Sequence, residues 1–260
     1  MANSINTNYG AQIALQNLNA TNRALETTQN RVNTGMKVSS AKDNGAIWAV
    51  AQGMRADSSA LDAVQNSIQR GRSVVDVGLA AGETMMAALV EMKSLAVAIE
   101  SGAAAGEETA AYEADMAALL EEIEAAHGAA TFDGVSAFAE SAGGVRTGLD
   151  TNSTFDLGVT YAVPTVNVDD TATADNVQSA IDDLATAMQG LGTQSKSLGR
   201  QLTFNTKLQD ALDTGIGNLV DADLAKERAK LTALQTKQQL GVQALSIANQ
   251  SSSILLGLFR

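Results

Sequence analysis

LDTGIGNLVDADLAKERAKLTALQTKQQLGVQALSIANQSSSILLGLFR, residues 212–260, is the stretch from which the fold is read. Alternate steps of three and four from Val220 meet Leu224, Glu227, Leu231, Leu234, Gln238, Gly241, Leu245, Ala248, Ser252, Leu255 and Phe259, a mostly apolar heptad seam. A second stripe at seven-residue spacing runs beside it through Leu212, Leu219, Lys226, Ala233, Leu240, Ile247 and Ile254. The two stripes lie roughly 100 to 160 degrees apart around a helix, so one partner helix cannot cover both. Unbroken, the segment is a rod of about 70 Å, longer than a compact domain of this size needs. A long terminal helix with two apolar sides calls for several neighbours.

Composition agrees with long regular helices. The chain has 260 residues, a single Pro and only 3% aromatic residues, which argues against a conventional α/β enzyme. Its formal net charge of −12 makes nucleic acid an unsuitable partner. With no cysteine there are no disulfides or thiolate metal sites, and the compartment stays open on that count. The opening residues show no basic region followed by an apolar run, so no cleaved signal peptide is expected. No stretch of about 20 apolar residues reads as a membrane span, and no membrane partner is expected.

Taken in order, Ala11, Leu15, Leu18, Asn22, Leu25, Gln29, Val32 and Met36 make a heptad seam suited to pair with the C-terminal one. Gly35 and the turn formers between Val38 and Gly45 predict an irregular linker. Next comes a long helix with two stripes, Ile47, Met54, Leu61, Ile68, Val75, Gly82, Leu89, Ala96 and Val50, Asp57, Val64, Gly71, Gly78, Met85, Met92, Ile99. Gly71, Gly78 and Gly82 on those stripes read as places of close helix approach. Ser101 to Gly106 closes this helix, and Glu107 and Glu108 favour the start of the next by charge. Tyr112, Met116, Leu119, Ile123 and Ala126 form a shorter amphipathic stripe ending at His127 and Gly128. One or two hairpins are expected over 129–168, around Phe132-Asp-Gly134 and the alternation from Thr154 to Tyr161, with Pro164 at an edge or loop. Helical spacing resumes as Val177, Ile181, Leu184, Met188, Leu191, Ser195, Leu198, Leu202, Asn205 and Gln209, with a bend expected near Gly215 and Gly217. The fold class is mainly α: long antiparallel coiled-coil-like helices from both ends of the chain around a small central β-hairpin region.

With the chain laid out, it resembles bacterial flagellin, the filament subunit of the flagellum. The resemblance covers nearly the whole chain and rests on order and spacing. At the front stand Ser4-Ile-Asn-Thr-Asn8, Gln16-Asn-Leu-Asn, Arg31-Val-Asn-Thr-Gly35 and Ser39-Ser-Ala-Lys-Asp43. Inside are Met92-Lys-Ser-Leu-Ala-Val97 and Thr131-Phe-Asp-Gly-Val135, and at the rear Val220-Asp-Ala-Asp-Leu-Ala-Lys226, Ala248-Asn-Gln250 and Leu255-Leu-Gly-Leu-Phe-Arg260. The resemblance implies a D0 domain from 1–35 and 215–260 and a spoke linker at 36–46. It implies a D1 domain from helices 47–128, hairpins 129–168 and helix 169–214. The longer family members' outer domains look absent.

The function so implied is that of a structural subunit self-assembling into the extracellular filament for swimming motility. It would be exported unfolded by the flagellar type III apparatus and would need no cofactor. The implied partners are other subunits, the export apparatus and its chaperone, and the filament cap and hook-junction proteins. The assembly seam would use Leu15, Leu18, Leu25, Val32, Leu224, Leu231, Leu234, Leu245, Leu255 and Phe259, with Leu219, Leu240, Ile247 and Ile254 on a second face. Lys42, Asp43 and Trp48 would serve the spoke, where Trp48 reads equally as plain packing. By resemblance Glu91, Leu95 and Asp115 lie on the surface that the flagellin-sensing Toll-like receptor grips. Aligning Leu95-Ala-Val97 puts Glu91 where activating members carry arginine, so weak or no recognition is implied. Ser136, Ser141, Thr151, Ser153 and Thr154 are candidate O-glycosylation positions by resemblance, although each reads individually as an ordinary turn residue.

No enzyme is expected, because no nucleophile has a plausible base. His127 near Glu121, Glu122 and Glu124 reads as a helix-end residue favourable to the dipole rather than a metal ligand. Asp221-Ala-Asp223 lacks the glycine and glutamate of a calcium loop and reads as a helix-starting turn. Two other readings compete with a filament subunit: a hook–filament junction protein with similar terminal helices, and a secreted amphipathic helical adhesin.

Overall fold

The computed structural model describes residues 8–105, 109–139, 143–163, 166 and 173–258, of which 103, 104 and 251–258 are described by backbone alone. Expectations attached to Ser4, Ile5, Gly106, Glu107, Glu108, Ser141, Pro164, Phe259 and Arg260 fall outside the described residues. So do the side chains of Ser252, Ile254 and Leu255. The elements in order are α1 (Tyr9–Thr34), α2 (Gly45–Ala105), α3 (Ala110–Ala129), β1 (Thr131–Phe132), β2 (Val135–Ser136), β3 (Gly144–Arg146), β4 (Thr154–Asp156), α4 (Ala174–Val220) and α5 (Leu224–Leu258). The mainly helical class expected from the stripes is what the chain adopts. It divides into two compact units, one of Met1–Ala56 with Leu212–Arg260 and one of Asp57–Ala211.

In the first unit α1 and α5 pair antiparallel. Asn8 caps α1 by accepting from the Ala11 amide at 3.0 Å, and its own Nδ2 donates to Ala248 O at 2.7 Å. Gly35 ends α1 in the left-handed region at φ 73°, its amide closing on Arg31 O. The chain does not bend at Gly215 and Gly217 as expected: α4 continues through both to Val220, and the break falls at Asp221–Asp223. The reason is local. Asp223 accepts from the amides of Ala225 and Lys226 at 3.0 and 3.1 Å and so starts a new helix. Nothing comparable interrupts the backbone ladder at the two glycines. The terminal segment is therefore two helices with a capped joint, not one rod.

The second unit holds the core. Both stripes of α2 are buried from Leu61 onward: Leu61, Ile68, Val75, Leu89 and Ala96 on one, Val64, Met85, Met92 and Ile99 on the other. Above that point, at Val50 and Asp57, the second stripe is exposed. Val177, Leu184, Leu191 and Leu198 of α4 and Met116 and Ile123 of α3 complete the cluster. By length and composition α2 also passes as a membrane-spanning helix, with a mean hydropathy of 1.5 over its most apolar window. The expectation of no such stretch overlooked this, because heptad reading assigned the same side chains to a seam, and they are the ones that build the core.

Two small antiparallel hairpins lie on this core, β1 with β2 and β3 with β4. The Asp133-Gly134 turn has φ values of 53° and 76°, the paired positive values of a two-residue hairpin turn. The strand expected from Thr154 to Tyr161 stops at Asp156. Beyond it Gln194 of α4 substitutes for a strand partner, its side-chain amide accepting from Gly158 N at 3.3 Å and donating to Gly158 O at 2.9 Å. Gly71 and Gly78 do mark close approach, but to the hairpin region as well as to a helix. A Cβ on Gly71 would stand 2.5 Å from Val145 Cγ2, and one on Gly78 would collide with Ala137 and reach Leu191.

Candidate assembly surfaces

The surface of α5 that meets α1 is the heptad seam. Leu231, Leu234, Gln238, Gly241, Leu245 and Ala248 are all half-buried there. On α1 the facing positions are Ala11, Ala14, Leu18, Thr21, Leu25, Thr28 and Val32, of which only Thr21 and Thr28 are fully buried. This register departs from the expected one at every second step, so Leu15 lies off the face turned to α5 and is 48% exposed. Threonine misled the reading. Thr21 satisfies its hydroxyl by donating to Asn17 O at 2.8 Å, which frees its methyl to pack.

Polar groups fix how the two helices match. Arg31 and Glu227 pair at 3.3 Å, and Gln238 Nε2 donates to Asn22 Oδ1 at 2.8 Å. The Thr28 hydroxyl, Arg31 Nε and Glu227 Oε2 are nevertheless buried without a hydrogen-bond partner in the single chain. Such orphaned groups cost about 1–3 kcal/mol each, so the seam is a specific match more than a strong one. Half-burial of a leucine yields only part of the roughly 1.5–3 kcal/mol of full burial.

Much of the remaining apolar surface of the pair is open. Leu240 and Ile247, on the second stripe, are 59% and 67% exposed, and Tyr9, Ile13, Val242 and Leu224 are exposed as well. Leu219, in the last turn of α4, is half-buried.

The expected linker is ordered. Lys37 N and Val38 N donate to Val220 O at 2.7 and 3.3 Å, and Ala222 N donates to Gly35 O at 2.8 Å, so it crosses the α4–α5 joint like a short strand. Val38 and Val220 are buried at this crossing. Asp43 Oδ2 accepts from the amides and hydroxyls of both Ser39 and Ser40 at 3.0 to 3.1 Å. These donors, the Ser40 amide foremost, hold the carboxyl below its ordinary range. Lys42 is exposed, and Trp48 is half-buried with its amide on Asn44 O.

In the second unit Glu91 and Asp115 are exposed, while Leu95 packs against the core. Thr151 and Thr154 are exposed and Ser136 and Ser153 half-buried, all at the hairpins. His127 ends α3 in an aromatic cluster, stacked on Phe138 at 5.6 Å with Nε2 3.2 Å from Tyr161 O. Sequence reading treated His127 only as a charge and missed this packing, because the alternation from Thr154 to Tyr161 predicts a strand that stops at Asp156 and nothing local ties Phe138 or Tyr161 to the end of α3.

The matches with known proteins follow this arrangement. The model described as the bacterial flagellin N-terminal helical region matches residues 5–142, and that for the bacterial flagellin C-terminal helical region matches 174–259. Flagellin FljK of Caulobacter vibrioides is 49% identical, with 99% of each chain covered. A flagellin of Brucella melitensis is 36% identical and flagellin C of Rhizobium meliloti 32%, again covering 99% of each chain. Paired terminal helices with uncovered apolar faces and a helical core carrying two hairpins are thus features of a filament-building protein of the extracellular flagellum, and the chain belongs to the bacterial flagellin family.

Proposed function

We propose that the α1–α5 pair completes its folding only when other copies cover it, so that order in this unit and filament growth are one event. The observation that carries this is the contrast between a seam that fully buries only Thr21 and Thr28 of α1 and the exposed Leu240 and Ile247 beside it. Burial of a leucine is worth roughly 1.5–3 kcal/mol, while ordering a residue costs about 1–2 kcal/mol. An isolated pair of this kind stays close to balance. On this reading Leu18, Leu25, Val32, Leu231, Leu234 and Leu245 hold the pair, and Leu15, Leu219, Leu224, Leu240 and Ile247 meet other subunits, with Ile254, Leu255 and Phe259 continuing the C-terminal faces.

The unit of Met1–Ala56 and Leu212–Arg260 then acts as the inner domain with its spoke, where Lys42, Asp43 and Trp48 sit, and Asp57–Ala211 acts as the outer helical domain. The same weakness suits export in an unfolded state with a chaperone holding the C-terminal helix, followed by addition beneath a cap onto a hook junction. The chain performs no catalysis in this role. Glu91 offers a carboxylate where a receptor seeking a guanidinium finds repulsion, so Toll-like receptor signalling is weak, and Glu91→Arg raises it. Equal, strong signalling from both proteins would refute that part.

Hydrogen exchange on dilute monomer and on seeded filaments tests the central claim. The amides of α1 and α5 should exchange within seconds in the monomer and become protected after assembly, whereas those of α2 and α4 between Asp57 and Ala211 are protected in both. Slow exchange across α1 and α5 in a demonstrably monomeric sample would overturn it. Elongation of wild-type filament seeds separates a filament subunit from a junction protein, which would bind the seed ends and stop.

A further inference from the structure

The second unit carries a knob and a hole that do not meet within one chain. The knob is Phe204 on α4, 60% exposed although it is one of only five phenylalanines. Its neighbour Asn205 is turned inward, donating to Thr147 O at 3.0 Å, and Phe204, about 100° round the helix from it, is left to solvent. Around Phe204 the outward stripe is basic: Lys196, Arg200 and Lys207, which with Phe204 between the last two follow steps of four, four and three, are all exposed. These cations are carried by a chain of net charge −12.

The hole is a groove of about 250 Å³ between α2 and the β3–β4 hairpin. Ala60, Ala63, Val64 and Ser67 line it from α2, and Gly148 and Leu149 line it from the connection between β3 and β4. Arg146 also lines it, but its guanidinium is turned to the hairpin tip, donating to the carbonyls of Leu149 and Asp150 at 3.2 and 3.0 Å. Exposed carboxylates stand at either end of this lining, Asp57 one turn before Ala60 on α2 and Asp150 next to Leu149, whereas Asp62 is turned to α4, accepting from Gln209 Nε2 at 2.7 Å. Small side chains leave room for a ring: an apolar cavity of about 150 Å³ suffices for benzene.

We propose that Phe204 of one copy seats in the Ala60–Leu149 groove of a neighbouring copy, with the Lys196, Arg200 and Lys207 stripe set against the groove's acidic rim. The proposal rests on the filament reading above, which brings copies together, and adds which side chains decide their contact. Its physics suits an open polymer. A patch that fits a different patch on the next copy makes a heterologous contact, and repetition of such a contact yields a ring or a helical filament rather than a closed dimer. An aromatic anchor in an apolar pocket with a charged surround is also how few residues come to carry most of an interface's energy.

Seeded elongation of purified full-length chain tests the contact. Phe204→Ala should raise the critical concentration roughly 10- to 100-fold while leaving the monomer's melting curve unchanged, since the ring is exposed there. Ala63→Trp, which fills the groove, should act likewise, and the double variant should be no worse than the poorer single one because both remove one contact. Growth of Phe204→Ala at the wild-type critical concentration, or losses that multiply in the double variant, would overturn the proposal.

The absence of cysteine allows a direct check. Filaments co-assembled from Phe204→Cys and Ala63→Cys chains and treated with a short bis-maleimide should yield covalent dimers joining one of each, and well-formed filaments yielding none would overturn the pairing. Wild-type chain that does not elongate defeats the filament reading itself. Wild-type growth with indifferent variants defeats only this contact.

Discussion

The two compact units share one helical grammar and use it to opposite ends. Between Asp57 and Ala211, α2, α3 and α4 bury Leu61, Ile68, Leu89, Met116, Ile123, Leu184 and Leu191 completely, and two hairpins are fastened over them. In the unit of the chain ends, the fully buried apolar residues among those described are Val38 and Val220 at the linker crossing and Ala51 on α2, none on the α1–α5 seam. Heptad spacing is equally regular in both. What differs is the number of neighbours available to each stripe within one chain. A two-stripe helix with two or three partners makes a core, and a two-stripe helix with one partner leaves a stripe exposed.

The sharpest way to break this comparison is to cut a leucine from each unit. Leu191→Ala, fully buried on α4, should cost about 2–5 kcal/mol of monomer stability in denaturant unfolding followed by near-ultraviolet signals of the second unit. Leu234→Ala, half-buried on α5, should cost less than about 1 kcal/mol in the same monomer measurement yet raise the critical concentration for growth about tenfold. Equal monomer losses from both would show that the terminal pair is already a folded domain and would remove the basis for coupling its order to assembly.

A smaller effect sharpens the picture of the second core. The Tyr161 hydroxyl is buried there without a hydrogen-bond partner, and burial, with Asp183 nearby, pushes its pKa up to about 12. A raised pKa on an acid means that the folded state keeps its proton while the unfolded chain, near 10, gives it up. The stability at stake is therefore present below about pH 10 and lost as pH rises toward 12. Tyr161→Phe should be neutral or stabilising by roughly 1 kcal/mol at pH 7 and should flatten the alkaline limb of unfolding. An unchanged alkaline limb would place the charge sensitivity elsewhere.

Spacing made the long helices legible because 3.6-residue periodicity survives over many turns. The α4 stripe from Val177 to Gln209 alternates between buried and half-buried along its whole length, as the spacing required. What resisted reading was short-range. Thr21 and Thr28 sit on the seam one position before the Asn22 and Gln29 that the spacing puts there; the Thr21 hydroxyl bonds its own helix and so behaves as a small apolar group, while that of Thr28 is buried without a partner. The α4–α5 joint went to Asp221–Asp223 rather than to Gly215, since a capping carboxylate ends and restarts a helix more firmly than a glycine weakens one. The Phe204 knob was also beyond reach. It lies off the apolar stripe of its helix, and periodicity says nothing about a groove built by a hairpin on another helix.

The smallest expected effect lies at the linker, where the comparison between units turns on a loop instead of a seam. Asp43 gathers the Ser39 and Ser40 donors onto one oxygen at the surface, so its neutral analogue should loosen the loop without unfolding either unit. The carboxyl is held below its ordinary value of 3.8, so this order is present above that pH and is lost as pH falls through the lower folded value. Asp43→Asn should speed exchange of the Ser39 and Ser40 amides several-fold at neutral pH. It should leave the Lys37 and Val38 amides, which donate to Val220 O, almost unaffected. If all four amides lose protection together, the linker is one cooperative piece with the α4–α5 joint. If only the serine pair responds, the crossing at Val220 stands independently of the turn that follows it, and the first unit has a small ordered centre around which the terminal helices assemble.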